Sequence, residues 1–274
     1  MQPKYMHFNS SCSYTALAML LEEKGIDTED TDIALEIGLP WMFDREDGYY
    51  LAGPMLQGAK WFDLFLNPRG LCLDEEIVER DRLAGYLRSN GTCMLGIKFS
   101  GNNGKHAVVF TGYDGKYHFL NPTTEKKLQP VELAMTEAEL LDSADELTMV
   151  GTLREHAAEK PDLSALFENS VKMMRENCAE ITEFANDAHS EEEHNEARDR
   201  LFRAFLVDGI SMLELVNEFD LAIGFRKIQQ NYLCFMGGPK RWPLKASIST
   251  DDLNELVERY ISLCEKTAAE RKPA

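Results

Sequence analysis

The sequence predicts an α+β domain followed by an all-α C-terminal domain. Three observations carry this. Helix-period segments occupy the first ninety residues, and short apolar runs separated by turn residues follow from Thr92 to about Leu153. From Pro161 onward apolar residues recur at spacings of three and four to the end of the chain. Helices followed by strands joined through tight turns is the α+β order. The boundary falls near Arg154–Pro161, giving a domain over 1–155 and a helical domain over 160–274.

The first predicted helix opens at Cys12. Tyr14, Leu17, Leu20 and Leu21 fall on one face of it, and Gly25 supplies the stop. Thr28 can cap a second helix carrying Ile33 and Ile37, which ends at Gly38. Residues 38–54 are rich in aromatics and turn formers and read as a long loop or a short hairpin. A third helix is expected over Leu56–Leu66 and a fourth from about Glu76 to Ser89.

Thr92–Phe99 suits a buried strand. The loop Ser100–Gly104 separates it from a second strand, His106–Tyr113. Asp114-Gly115 is a hairpin signal, and Lys116–Leu120 is the returning strand, ended by Asn121-Pro122. A short helix near 135–144 and a strand near 147–153 complete this half. In the second half Leu163 to Phe184, Leu201 to Phe219 and Leu253 to Cys264 carry the helical pattern. Asp208-Gly209 is a weak point and Gly237-Gly238-Pro239 a break.

Composition narrows the function. The 274 residues are 44% hydrophobic and 28% charged, as in a globular protein, and no apolar run reaches the roughly 20 residues of a membrane span. No signal peptide is visible, so a cytoplasmic protein is expected. The net charge of −18 argues against a nucleic-acid surface, which needs basic patches. The six cysteines form no close pair and read as reduced thiols, with neither a disulfide framework nor a zinc site. His189 and His194 are five apart, so on a helix their rings would point about 140° from each other, which disfavours a shared metal.

Cys12 is the candidate nucleophile, because free N–H groups and the dipole at a helix start favour the thiolate. His106 opens a strand after a glycine-rich loop and can face a cleft as the base. Asn121 ends the neighbouring antiparallel strand and so falls beside His106, where its amide oxygen can accept the imidazole N–H. Cys72, Cys93, Cys178, Cys234 and Cys264 read as small hydrophobes.

Cys12-Ser13-Tyr14-Thr15-Ala16-Leu17, His106-Ala107-Val108-Val109 and Asn121-Pro122 together resemble the papain-like cysteine peptidases, in the small bacterial form that processes bacteriocin leader peptides. The first 150 residues look closer still to the N-terminal domain of the butirosin biosynthesis protein H type, an acyltransferase that moves an acyl group from a carrier-protein thioester to an amine. The resemblance implies a papain-like fold and a Cys12–His106–Asn121 triad. Two positions depart from the pattern. Ser13 stands where a glycine is usual, and Met6 stands where a glutamine amide helps to bind the oxyanion. The Cys12 N–H remains as one donor, with Asn9, or less readily His7, as the second. Losing an oxyanion donor costs about a hundred- to a thousand-fold in rate, which weighs against amide hydrolysis relative to thioester or ester chemistry.

The expectation is a cysteine-dependent hydrolase (peptidase or thioesterase) or acyltransferase that needs no metal or redox cofactor. Its substrate would be a small-molecule or peptide acyl group, with an acyl carrier protein as a candidate donor. The alternative is a papain-like domain without catalysis that binds a small molecule or partner protein in the same cleft.

Overall fold

The computed structural model describes residues 1–99, 104–124, 131–159, 161–238 and 241–271. The expected loop at Ser100–Gly104 lies, apart from Gly104, outside the described residues, as does Pro239. The chain divides into two compact units. The first comprises residues 1–37 and 57–161, the second residues 38–56 and 162–274. The aromatic segment 38–56, placed by sequence order in the first domain, therefore belongs to the helical unit.

In the first unit α1 (Cys12–Glu22), α2 (Asp30–Ile37) and α3 (Ala59–Leu66) accompany a six-stranded sheet. Helix α1 was expected to show one apolar face, yet every residue from Ser13 to Leu21 is buried. It is a central helix, packed on its neighbour α2 and on the sheet. Helix α3 presents Trp61, Phe62, Phe65 and Leu66 inward, and Phe62 meets Tyr14 of α1 edge-to-face at 5.0 Å.

The second unit begins with the hairpin β1 (Phe43–Glu46) and β2 (Tyr49–Ala52), turning at Asp47-Gly48, both with positive φ. The sheet of the first unit starts at β3 (Leu71–Glu79), and α4 (Arg80–Asn90) follows. This corrects the helix expected from Glu76, because Glu76–Glu79 is strand. The residues Leu71-Cys72-Leu73-Asp74-Glu75-Glu76-Ile77-Val78-Glu79 are a poor helical stripe. They pair without interruption with the nine residues Leu147–Glu155, far along the chain.

Strands β4 (Cys93–Lys98), β5 (Lys105–Tyr113), β6 (Tyr117–Leu120) and β7 (Glu132–Met135), helix α5 (Glu137–Ser143) and strand β8 (Leu147–Glu155) complete the unit. The spatial order is β3-β8-β4-β5-β6-β7 and every neighbouring pair is antiparallel. Strand β7 had no counterpart in the sequence reading. On one face Cys93, Leu95, Ile97, Val108, Phe110, Tyr117 and Phe119 pack with Leu83, Ala84 and Leu87 of α4 and Leu140 of α5. Helix α5 starts at a capping box formed by Thr136 and Glu139.

The second unit continues with α6 (Ser164–Asn186), a short strand β9 (Ala188–His189) and α7 (Glu191–Ala197). Then come α8 (Ile210–Leu215), α9 (Phe219–Met236), β10 (Leu244–Lys245) and α10 (Thr250–Glu270). The weak point at Asp208-Gly209 does not break the chain. Residues 198–202 and 204–209 wind as π-helix into α8. A Cβ on Gly209 would lie 2.8 Å from the Ala204 carbonyl oxygen, so this wide turn needs glycine. Phe43 of β1 meets Phe205 at a tilt and Tyr260 edge-to-face, and the Tyr260 hydroxyl donates to the Pro40 carbonyl at 2.6 Å. These contacts show why residues 38–56 fold with the helices. No helix among the described residues is long and apolar enough to cross a membrane.

Candidate active site

Cys12 is the first residue of α1 and is half-buried. The turn before it is held by one carboxylate. Asp30, fully buried, accepts from the Ser11 hydroxyl at 2.5 Å, the Thr15 hydroxyl at 3.2 Å, and the N–H groups of His7 and Thr31 at 2.9 Å. Nδ1 of His7 lies 2.6 Å from Oδ1, the oxygen that also accepts from Thr31. Ser11 caps no helical N–H, and its hydroxyl is turned instead to Asp30 at 2.5 Å and the Phe8 carbonyl at 2.9 Å. The residue immediately before the cysteine is thus pinned to α2. Sequence reasoning missed Asp30, since nothing local marks a carboxylate nineteen residues downstream as its partner.

Cys12 and Ser13 border a cleft of about 310 Å³. Its other walls come from Gln57, Gly58 and Phe62 beside α3, Leu73 and Glu75 of β3, and Met149 and Gly151 of β8. Met94 and Gly96 of β4 with Lys105 and Ala107 of β5 close it. Gly58 has φ +90°, and a Cβ there would come within 3.4 Å of the Glu75 carboxylate. A side chain at 58 would therefore crowd the carboxylate at the cleft wall. Lys105 is tied down by Asp145 at 2.5 Å, and Lys98 joins the same carboxylate. These two ammonium groups hold the Asp145 carboxyl down at about 2.

His106 is the second residue of β5. It pairs with Ile97, so the pleat sends it to the side of Ile97 and Val108 while Lys105 and Ala107 face the cleft. Its Nε2 lies 2.6 Å from the Pro122 carbonyl oxygen, and its ring meets Phe99 at 5.6 Å. A carbonyl only accepts, so Nε2 carries the proton and, in the neutral ring, Nδ1 carries the lone pair. Asn121 is 1% exposed and sits directly after β6, with its N–H on the Val131 carbonyl at 2.7 Å. The fold therefore brings His106 to the Asn121-Pro122 turn, as antiparallel pairing of β5 and β6 demands, and packs α1 against β4 and β5.

The candidate oxyanion donors differ in setting. Asn9 is exposed in the turn before α1 and does not line the cleft. The Met6 N–H donates to Thr123 at 2.9 Å, so that segment runs beside the strand end that carries Asn121. Ser13 borders the cleft, but its hydroxyl oxygen is shielded from solvent and has no hydrogen-bond partner among the described residues.

Among the described residues, His7, Glu29 and Asp30 bring one ligand atom each within 4.8 Å of the others. The oxygens of Asp30 already accept from protein donors, and Glu29 pairs with Lys4 at 3.4 Å. The arrangement reads as a brace for the N-terminal segment. The other cysteines behave as packing groups where burial decides. It pushes the thiols of Cys93 and Cys264 up to about 12 and that of Cys178 to about 11.

A central helix opening at a cysteine, set against an antiparallel sheet, defines the papain-like cysteine peptidase fold, here joined to a helical C-terminal region. Residues 2–139 match the model of the Peptidase_C39 like family, and the chain belongs to that family. It is thereby a cysteine peptidase-like enzyme. Among solved structures, the chain is similar to the peptidase domain of Streptococcus ComA, described as a bi-functional ABC transporter involved in a quorum sensing pathway. The identity is 12% and the TM-score 0.37, over 57% of this chain and 98% of that one. None of the curated proteins compared with the chain matches it.

Proposed function

We propose that the protein is a cysteine-dependent acyl-transfer enzyme that works through Cys12, His106 and Asn121. The observation that carries the reading is a half-buried cysteine at the first residue of a central helix, opening onto a cleft in a chain of this family. In this reading the acyl group lies in the cleft beside Lys105 and Ala107, and the imidazole serves the sulfur from the start of β5. The Cys12 thiol gives its proton to Nδ1 of His106. The sulfur forms a bond to the carbonyl carbon, and the π pair moves to oxygen. Collapse expels the thiol, alcohol or amine, which takes the proton from His106. Asn121 and the Pro122 carbonyl hold the ring so that Nδ1 is the base. The Cys12 N–H is the first donor to the oxyanion and Asn9 the candidate second.

Water as acceptor makes the protein a peptidase or thioesterase. An amine makes it an acyltransferase of the butirosin biosynthesis protein H type, with an acyl carrier protein as the donor. We place the enzyme in the cytoplasm, a location supported by six free cysteines.

The test is a p-nitrophenyl ester with pre-steady-state detection. The expected result is a burst of p-nitrophenolate and an acyl mass shift on the peptide containing Cys12, both absent in Cys12→Ala. An undiminished burst in Cys12→Ala sinks the reading. The second reading, a binding domain without catalysis, is favoured by Met6 at the place of the glutamine donor. It predicts that iodoacetamide reaches Cys12 at neutral pH only after unfolding.

A further inference from the structure

One charge in the cleft is uncompensated. Strand β3 carries Asp74, Glu75 and Glu76 in a row, and the pleat divides them between its two faces. On the face away from the cleft Asp74 pairs with Arg154 at 3.4 Å, and Glu76 accepts from the Tyr86 hydroxyl. Glu75 borders the cleft, as does Leu73 on the same face. Its carboxylate lies against Gly58, another cleft residue, with the two oxygens 3.4 and 3.6 Å from where a Cβ at 58 would stand. Its strand partner is Gly151, so no cross-strand side chain stands opposite it. Glu75 is exposed and makes no hydrogen bond or ion pair among the described residues. Lys105, the other charged residue at the cleft, is held by Asp145.

We propose that Glu75 is a specificity-determining residue that accepts a cationic group, an ammonium or guanidinium, at the far end of the acyl chain delivered to Cys12. This rests on the acyl-enzyme reading above. Cys12 enters the cleft from α1 and Glu75 from β3, and Phe62, Leu73, Met94 and Met149 line it with hydrocarbon. A chain with an apolar stem and a charged end matches such walls, with methylenes on the hydrocarbon and the cation at the carboxylate. Apolar walls also lower the local dielectric, so the carboxylate acts more strongly on a cation there than on open surface. The net charge of −18 adds a long-range attraction of the same sign. A purely structural role is the competing explanation. Gly58 immediately precedes α3, and a carboxylate beside a helix start favours the helix.

The experiment compares two esters of one length, 6-aminohexanoate p-nitrophenyl ester and heptanoate p-nitrophenyl ester, in which methyl replaces the ammonium. Each rate is divided by that of mercaptoethanol with the same ester. The wild type is expected to acylate about three- to tenfold faster with the cationic ester in dilute buffer, and the ratio should shrink toward one in about 0.5 M salt. Glu75→Gln should abolish the ratio, and Glu75→Asp should keep part of it. A second arm needs no acyl chemistry. Trimethylammonium-ethyl methanethiosulfonate should modify Cys12 faster than its neutral hydroxyethyl analogue, read on the Cys12 peptide by mass spectrometry, and Glu75→Gln should remove that advantage. No cationic preference in the wild type overturns the proposal. So does the same preference in Glu75→Gln, or a loss of unfolding stability in that variant with both ratios unchanged, which is the structural role. Bursts that survive Cys12→Ala overturn the acyl-enzyme reading instead, and the thiosulfonate ratio then decides by itself whether Glu75 selects cations in this cleft.

Discussion

The front of α1 in the first unit and the His194 cluster in the second treat polar groups in opposite ways. His194 is fully buried. Its Nε2 meets the Leu244 carbonyl at 2.9 Å, and its ring is flanked by Phe184, Phe235 and Trp242 at about 5 Å. His189 stacks on Phe184 at 3.8 Å and pairs through its backbone with Leu244. That cluster fastens the short β9–β10 ladder, with His194 fully buried among rings. Around Cys12 the arrangement is open on one side: the half-buried cysteine borders a cleft of about 310 Å³. Polar chemistry that is closed upon itself reads as packing, and polar chemistry left open toward a cleft reads as a site. Both histidines bond a backbone carbonyl through Nε2, so the imidazole hydrogen bond alone does not separate them.

The strongest way to break this contrast is to remove each imidazole in turn. His106→Ala should slow acylation of Cys12 about 10²- to 10⁴-fold with little change in urea unfolding. His194→Ala should leave acylation within about twofold and cost the second unit about 3 kcal/mol, the price of a large buried ring. The opposite outcome would exchange the roles of the two regions.

Asp208 sharpens the comparison next, because it is a buried carboxyl in the closed region. Burial pushes it up to about 6, against the opposing pull of Arg203 at 2.9 Å. The folded chain then holds its proton longer than the unfolded chain. Stability of the second unit should fall by about 3 kcal/mol as pH rises from roughly 4 to 6 and level off above that. Urea titrations across that window should show the slope in the wild type and lose this contribution in Asp208→Asn. Equal slopes in the two proteins would remove Asp208 as the cause.

Asp30 is the counterpart in the first unit, a buried carboxylate whose donors fasten the turn before Cys12. Asp30→Asn should cost about 1–3 kcal/mol, because an amide cannot accept from all of the same donors. Alkylation of Cys12 should slow several-fold in the folded protein. Unchanged alkylation would show that the turn holds without the brace. The smallest effect is a protection pattern. Iodoacetamide at about pH 8 should label Cys12 and the exposed Cys234 and spare Cys93, Cys178 and Cys264, whose thiols burial pushes to about 11–12. Mass spectrometry of the native protein reads this directly.

Much of the first unit could be read before folding was considered. The start of α1 at Cys12, strands near 93–98, 105–113 and 117–120, and the turn at Asp114-Gly115 lie close to where local pattern puts them. A helix start or a tight turn is decided by hydrogen bonds within a few residues, and such signals are written locally. The Asn121-Pro122 turn is of the same kind, and antiparallel pairing carries it to His106.

What the tertiary structure alone decided is of another kind. Residues Glu76–Glu79 became strand because β8 offered nine partners in register, outweighing their charged composition. The aromatic segment 38–56 joined the helical unit because Phe43 found Phe205 and Tyr260. Asp30 became the anchor of the Cys12 turn, and the Ser13 hydroxyl was buried without a hydrogen-bond partner among the described residues. Each of these depends on which distant groups arrive at one place, and the free energy of such meetings appears only when the chain closes around them.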